Sequence, residues 1–136
     1  MKSKRFGKLR PQYRFFLNPY SDLRFTSCPI CGNKTKQRKV PLVIHVEPRS
    51  LLSIHKTCRY CPTCDLLIAH QDEVEAQLVV HFTGSDPAVI GNDYLVIGTQ
   101  ERTAWRQGMK TAQAFQEMLE SLHDFKEVLR FELHYE

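Results

Sequence analysis

The sequence predicts a small α+β protein: a cysteine-flanked β-hairpin with a third strand, extended by a small C-terminal α/β unit. Three observations predict it. All five cysteines of the 136-residue chain lie between positions 28 and 64. Two strand-like runs fall between the first and last of them, and the apolar spacing beyond residue 70 alternates between helical and extended. The length suits one domain, or a small module fused to a second small unit, and 42% apolar residues suffice for a modest core.

The cysteines carry the chemistry. Cys28-Pro29-Ile30-Cys31-Gly32 and Cys61-Pro62-Thr63-Cys64-Asp65 are two C-x-x-C loops. Two such loops bring four thiolates to one point, and Zn²⁺ accepts four sulfurs tetrahedrally at about 2.3 Å because its filled d shell imposes no other geometry. Five cysteines compete for four places. After the second cysteine of such a loop the chain turns through positive φ and aims amide N–H groups at the sulfurs, which favours Gly, Asn or Asp there. Gly32 and Asp65 fit, whereas pairing Cys58 with Cys61 would put Pro62 at that place, without an N–H and with φ fixed negative. The expected ligands are therefore Cys28, Cys31, Cys61 and Cys64. Cys58 is expected on the strand entering the second loop, as a small buried hydrophobe.

On these residues the stretch 26–70 resembles the zinc-ribbon superfamily, whose members carry two CPxCG-type knuckles separated by a β-hairpin. The first loop matches that pattern fully; the second departs from it at Asp65 and is preceded by an extra cysteine. The resemblance implies a zinc ribbon with a structural site, and it transfers no activity. It divides the chain into a basic, aromatic-containing arm (1–25), the ribbon (26–70) and a C-terminal helix and strand unit packed on it (71–136).

Between the loops, Val40, Leu42, Ile44 and Val46 alternate with period two, 47–50 has turn chemistry, and 51–60 reads as the returning strand. Pro41 argues for an edge position in the first of these strands. The run 66–69 reads as the third strand, ended by His70. His55 and His70 flank the second loop, but four cysteines already fill the tetrahedron, so both read as surface or sheet histidines. A helix is expected next, with Asp72 as N-cap and Glu75 completing a capping box, and Val74, Leu78, His81 and Phe82 on one stripe. Residues 84–87 stop it. Residues 94–98 read as a short buried strand. A second helix carries Trp105, Met109, Ala112, Phe115, Leu119 and Leu122, and alternation from Leu129 to Tyr135 reads as a last strand. The order strand, helix, strand suggests that the last two strands lie parallel across a right-handed crossover.

Charge is divided unequally. Residues 1–64 hold 14 Lys and Arg against 2 acids, and residues 65–136 hold 5 against 13. Such asymmetry points either to a polyanion-binding first half or to halves that neutralise each other in the fold or across an oligomer. Lys4, Arg5, Lys8 and Arg10 in the arm and Lys34, Lys36, Arg38 and Lys39 beside the first loop are the expected nucleic-acid contacts, with aromatic residues among them for base stacking. Arg102 and Arg106, in the acidic half, are expected to matter less. The alternative reading is a protein-interaction or adaptor module that docks a partner or a second copy.

No nucleophile with its base, carboxylate pair or open metal position is legible, so the reading is of a non-enzyme. A closed site of four thiolates works by supplying folding energy. No apolar run approaches the ~20 residues that span a bilayer and no signal-peptide core is present, so no membrane contact is expected. Reduced, metal-bound cysteines suit the cytoplasm.

Overall fold

In the computed structural model, residues 7–48, 50–103 and 115–131 are described. Among them, seven strands form one sheet: β1 (Arg14–Asn18), β2 (Lys36–Val46), β3 (Ser50–Cys61), β4 (Leu66–His70), β5 (Tyr94–Gln100), β6 (Leu122–Asp124) and β7 (Glu127–Leu129). Their order across the sheet is β6-β5-β2-β3-β4-β1-β7. The helices α1 (Gln71–Thr83) and α2 (Phe115–Glu120) accompany them, with a 3₁₀ turn at Pro87–Val89.

The expected hairpin and third strand are present, but inside something larger than a ribbon. β2 and β3 pair antiparallel from Lys36↔Tyr60 to Val46↔Ser50, and β4 adds antiparallel through Tyr60↔Leu67. β1, drawn from the predicted arm, then pairs parallel with β4 and with β7, while β5 pairs antiparallel with β2.

Covalent geometry forces this sheet to curl. β6 and β7 sit at its opposite edges, yet only Phe125 and Lys126 separate them in sequence. Three Cα–Cα steps of about 3.8 Å reach roughly 11 Å, whereas six strand spacings of about 4.8 Å laid flat would need ~29 Å. The result is a curled half-barrel. The linker is fastened as it crosses: the Phe125 N–H donates to Ile97 O, the Lys126 N–H donates to Tyr13 O, and the Phe125 ring stacks on Phe15 with centroids 4.2 Å apart.

Three apolar clusters follow from strand alternation. The concave face gathers Val40, Leu42, Ile44, Cys58, Tyr60 and Leu67, and α1 contributes Val74, Leu78 and Phe82 to it. On the outer face of β1 and β4, Phe16, Leu66 and Ile68 pack with Cys28 and Cys61 under Tyr20, Phe25 and Phe131. The outer face of β2 and β5 packs Val43 and Ile97 against Met118 and Leu122.

Several expectations change here. Leu122 lies on β6, not on a helix stripe, because pairing with Gln100 takes it into the sheet. β5 has β2 and β6 as neighbours, both antiparallel, so no parallel crossover joins it to β7. α1 begins at Gln71 with His70 at its N-cap and no side-chain cap; Asp72 instead accepts from the Glu73 N–H inside the first turn. His81 is exposed and only touches Phe82 edge-on. β2 is an interior strand, yet its β5 ladder ends at Leu42↔Thr99, one residue short of Pro41. The missing N–H of Pro41 therefore falls where β2 has parted from β5, which is the local form of the edge that proline requires.

Residues 7–12 lie along β6. The Lys8 and Leu9 N–H groups donate to Leu119 O and Leu122 O, and the Gly7 N–H donates to Asp124 Oδ1 at 2.6 Å. A Cβ on Gly7 would stand 2.2 Å from Leu122 O, so only glycine permits this approach. Lys4, Arg5, Trp105, Met109, Ala112 and Tyr135 lie outside the described residues, as does the side chain of Phe115.

Candidate metal centre and basic recess

The four expected ligands converge. The sulfurs of Cys28, Cys31, Cys61 and Cys64 all lie within 4.8 Å of one another, with Cys28–Cys64 at 3.9 Å and Cys31–Cys61 at 3.5 Å. Four sulfurs at about 2.3 Å from a tetrahedral zinc stand ~3.8 Å apart, so both separations suit that ion. Four sulfurs are a soft donor set, and their mutual spacing fits an ion such as zinc that takes four thiolates.

Local backbone explains the convergence. Gly32 has φ 77° and Asp65 φ 53°, the left-handed turns expected after each second cysteine. In the first loop the Ile30 N–H points at Cys28 Sγ at 3.4 Å, and the loop closes on itself through Gly32 N–H to Cys28 O and Cys28 N–H to Asn33 O. The second loop is the connection between β3 and β4. Its departure from the glycine pattern now has a cause: the Asp65 carboxylate accepts from Tyr60 Oη at 2.8 Å and from Lys126 Nζ at 2.7 Å, and Asp65 O accepts the Arg14 N–H. Burial opposes the Asp65 charge, but those donors outweigh it and hold the carboxyl below its ordinary range. Burial first, and then Asp65, push the Tyr60 phenol up to about 12.

The thiols differ. Burial raises Cys28, while an N–H from Asn33 lowers Cys31 to about 7. Cys58 stays outside the cluster, 1% exposed in the concave core, with its thiol pushed up to about 12 by burial and donating to Lys56 O. His55 is exposed. His70 is buried at the end of β4, 3.0 Å from Asn18, and burial lowers its pKa. Neither joins the sulfurs.

The predicted cations are partly gathered. Lys8, Arg10, Lys34, Lys36 and Lys39 are exposed, and Arg38 is half-buried. Where β2 parts from β5 a recess of about 270 Å³ opens, lined among others by Tyr13, Arg38, Arg102 and His123, with Glu101 its acid. The Arg38 guanidinium sits 4.6 Å from the Tyr60 ring centroid and 5.8 Å from that of Tyr13, and the two rings meet edge-on. Tyr13 itself is held at φ 64°, a backbone a bulky residue adopts only under constraint. His123 Nδ1 bonds Arg10 O, which brings the arm to the same rim. Sequence reasoning set Arg102 apart as belonging to the acidic half; the fold places it across the recess, donating to Lys39 O at 3.1 Å. No periodic signal links residues 39 and 102, so only the β2–β5 pairing could have shown this.

Compared with protein-family models, curated proteins and solved structures, the chain finds no match. Among the described residues no helix is long and apolar enough to cross a membrane.

Proposed function

We propose that the four cysteines hold one zinc ion as a structural site, and that the protein binds nucleic acid through the basic recess beside β2. The observation that carries the second part is that Arg38, stacked over the Tyr13 and Tyr60 rings, and Arg102 line one recess, whose rim the Lys39 and Arg10 carbonyls reach from two further points of the chain. Cations there would meet phosphates while Tyr13 offers a face for an unpaired base. Among the described residues no helix presents a row of side chains suited to reading base edges, so the contacts would be largely indifferent to sequence. Four thiolates fill the zinc coordination sphere, which favours a binding protein over an enzyme. Reduced thiols of this kind suit a cytoplasmic setting.

Fluorescence anisotropy with labelled single- and double-stranded oligonucleotides across a salt series tests this. Binding is expected at low salt, with log K falling against log[salt] by roughly 0.7 per phosphate contacted on single strands. Arg102→Gln and Arg38→Gln should each shallow that slope by about one contact. Absence of binding to every oligonucleotide at low salt would remove the nucleic-acid reading. The edge of β2 that β5 leaves uncovered, residues 36–41, would then favour the alternative, an adaptor that accepts a partner strand.

A further inference from the structure

β4 leaves β3 after the pair Arg59↔Ile68, and a second recess of about 350 Å³ opens beside that part of β3. Its walls include Arg24, Lys56, Arg59, His70 and Glu73. Two of these are more than nine-tenths buried, Lys56 at 7% exposure and His70 at 6%. Three donor side chains, Lys56, Arg59 and His70, thus converge on one recess with hydrogen-bonding capacity left over for a ligand.

The donors can be assigned. The Asn18 amide is fixed by the Tyr20 N–H on its Oδ1 and by Leu23 O on its Nδ2, so its nitrogen faces His70 Nδ1. His70 Nδ1 is therefore an acceptor, and the ring proton sits on Nε2, which has no partner among the described residues. Lys56 Nζ spends two of its three protons, on Thr57 O and Glu73 Oε1. Arg59 uses Nε and one terminal nitrogen on Thr35, leaving the other without a partner among the described residues. Arg24 is held at the mouth by Asp72 and Glu73.

We propose that this recess binds hydrogen phosphate. Lys56, Arg59 and His70 Nε2–H supply donors to the phosphate oxygens. Glu73, the acid in the wall, selects the protonation state: inorganic phosphate near neutral pH keeps a P–OH that donates to a carboxylate. Sulfate and phosphodiesters are fully ionised there, have no such proton, and meet the Glu73 charge as repulsion. The site is thus distinct in chemistry from the nucleic-acid recess.

The test is an amide NMR titration of the full-length, zinc-loaded protein with inorganic phosphate at constant ionic strength, with sulfate and a dinucleotide as separate arms. Phosphate should give saturable shifts at Thr57, Arg59, His70 and Glu73, and sulfate and the dinucleotide should bind there at least roughly tenfold more weakly. Lys56→Met and Arg59→Gln should each weaken phosphate by roughly tenfold, and Glu73→Gln should narrow the gap between phosphate and sulfate. The wild-type arms decide the matter even if a variant misfolds. Equal phosphate and sulfate affinity, shifts confined to residues 34–39, or no saturable shift would each overturn the proposal.

Discussion

The two C-x-x-C loops supply equal numbers of sulfurs but are held in different ways. The second is a link within the sheet: it joins β3 to β4, and Asp65 ties it to Tyr60, to Lys126 beside β7 and to the start of β1. The first is held by bonds within residues 26–35, by Thr35 to Phe25 O and by Arg59 to Thr35. Apart from Arg59, a bond from Asn33 Nδ2 to Thr63 Oγ1 at 3.3 Å and the packing of Cys28 and Phe25 on the outer cluster, the sulfurs are its fastening to the rest of the half-barrel. A metal held by the four sulfurs would therefore do more to position the first loop than the second.

The largest effect expected from that contrast is loss of the metal itself. Serine at Cys28, Cys31, Cys61 or Cys64 should abolish zinc binding by mass spectrometry, whereas Cys58→Ser should retain one zinc per chain. Zinc supplies on the order of 10 kcal/mol of apparent folding free energy in small fingers. Here the drop in stability should be smaller, because the half-barrel has a core away from the four sulfurs. Cys58→Ser should still cost about 1–3 kcal/mol by denaturant melting, since it places a hydroxyl in the apolar core.

Turn variants sharpen the contrast between loops. Gly32→Ala meets no atom within 4 Å, so its cost is the left-handed backbone alone, about 1–2 kcal/mol. Asp65 already carries a Cβ at positive φ, so Asp65→Ala adds little backbone cost, but it leaves Tyr60 and Lys126 without their acceptor. It should lose more than Gly32→Ala in the same melting experiment, and equal losses would mean that the second loop is no better anchored than the first.

The smallest effect is electrostatic. The Asp65 carboxyl is held below its ordinary value, so its contribution is complete above the unfolded pKa near 3.9 and is lost as pH falls through the folded value. Asp65→Asn keeps the turn tolerance and removes the charge. Its stability should lie below wild type near neutral pH, and the gap should close in acid; a gap independent of pH would assign the Asp65 contribution to shape alone.

The sequence made one end of this molecule legible and hid the other. Both loops, their positive φ, the exclusion of Cys58, the hairpin and the third strand follow from local chemistry. What stayed hidden is closure. β6 and β7 are three residues each, too short to show alternation, and Leu122 sits three residues beyond Leu119, a spacing equally at home on a helix. Their partners are about 25 residues away for β6 and more than 100 for β7, so no window of local sequence contains the pairing. For the same reason the basic recess was legible only as two charge runs, without Arg102. The capping box failed because Arg24 engages the Asp72 side chain, a contact 48 residues distant.

Hydrogen exchange on the zinc-loaded protein, followed before and after chelation, tests most directly whether metal fastens the first loop to an independently built barrel. Residues 26–35 should lose protection when zinc is removed, while β1 and β4, paired from Arg14↔Leu66 to Asn18↔His70, keep theirs. Loss of protection throughout the sheet, or no change in residues 26–35, would contradict it.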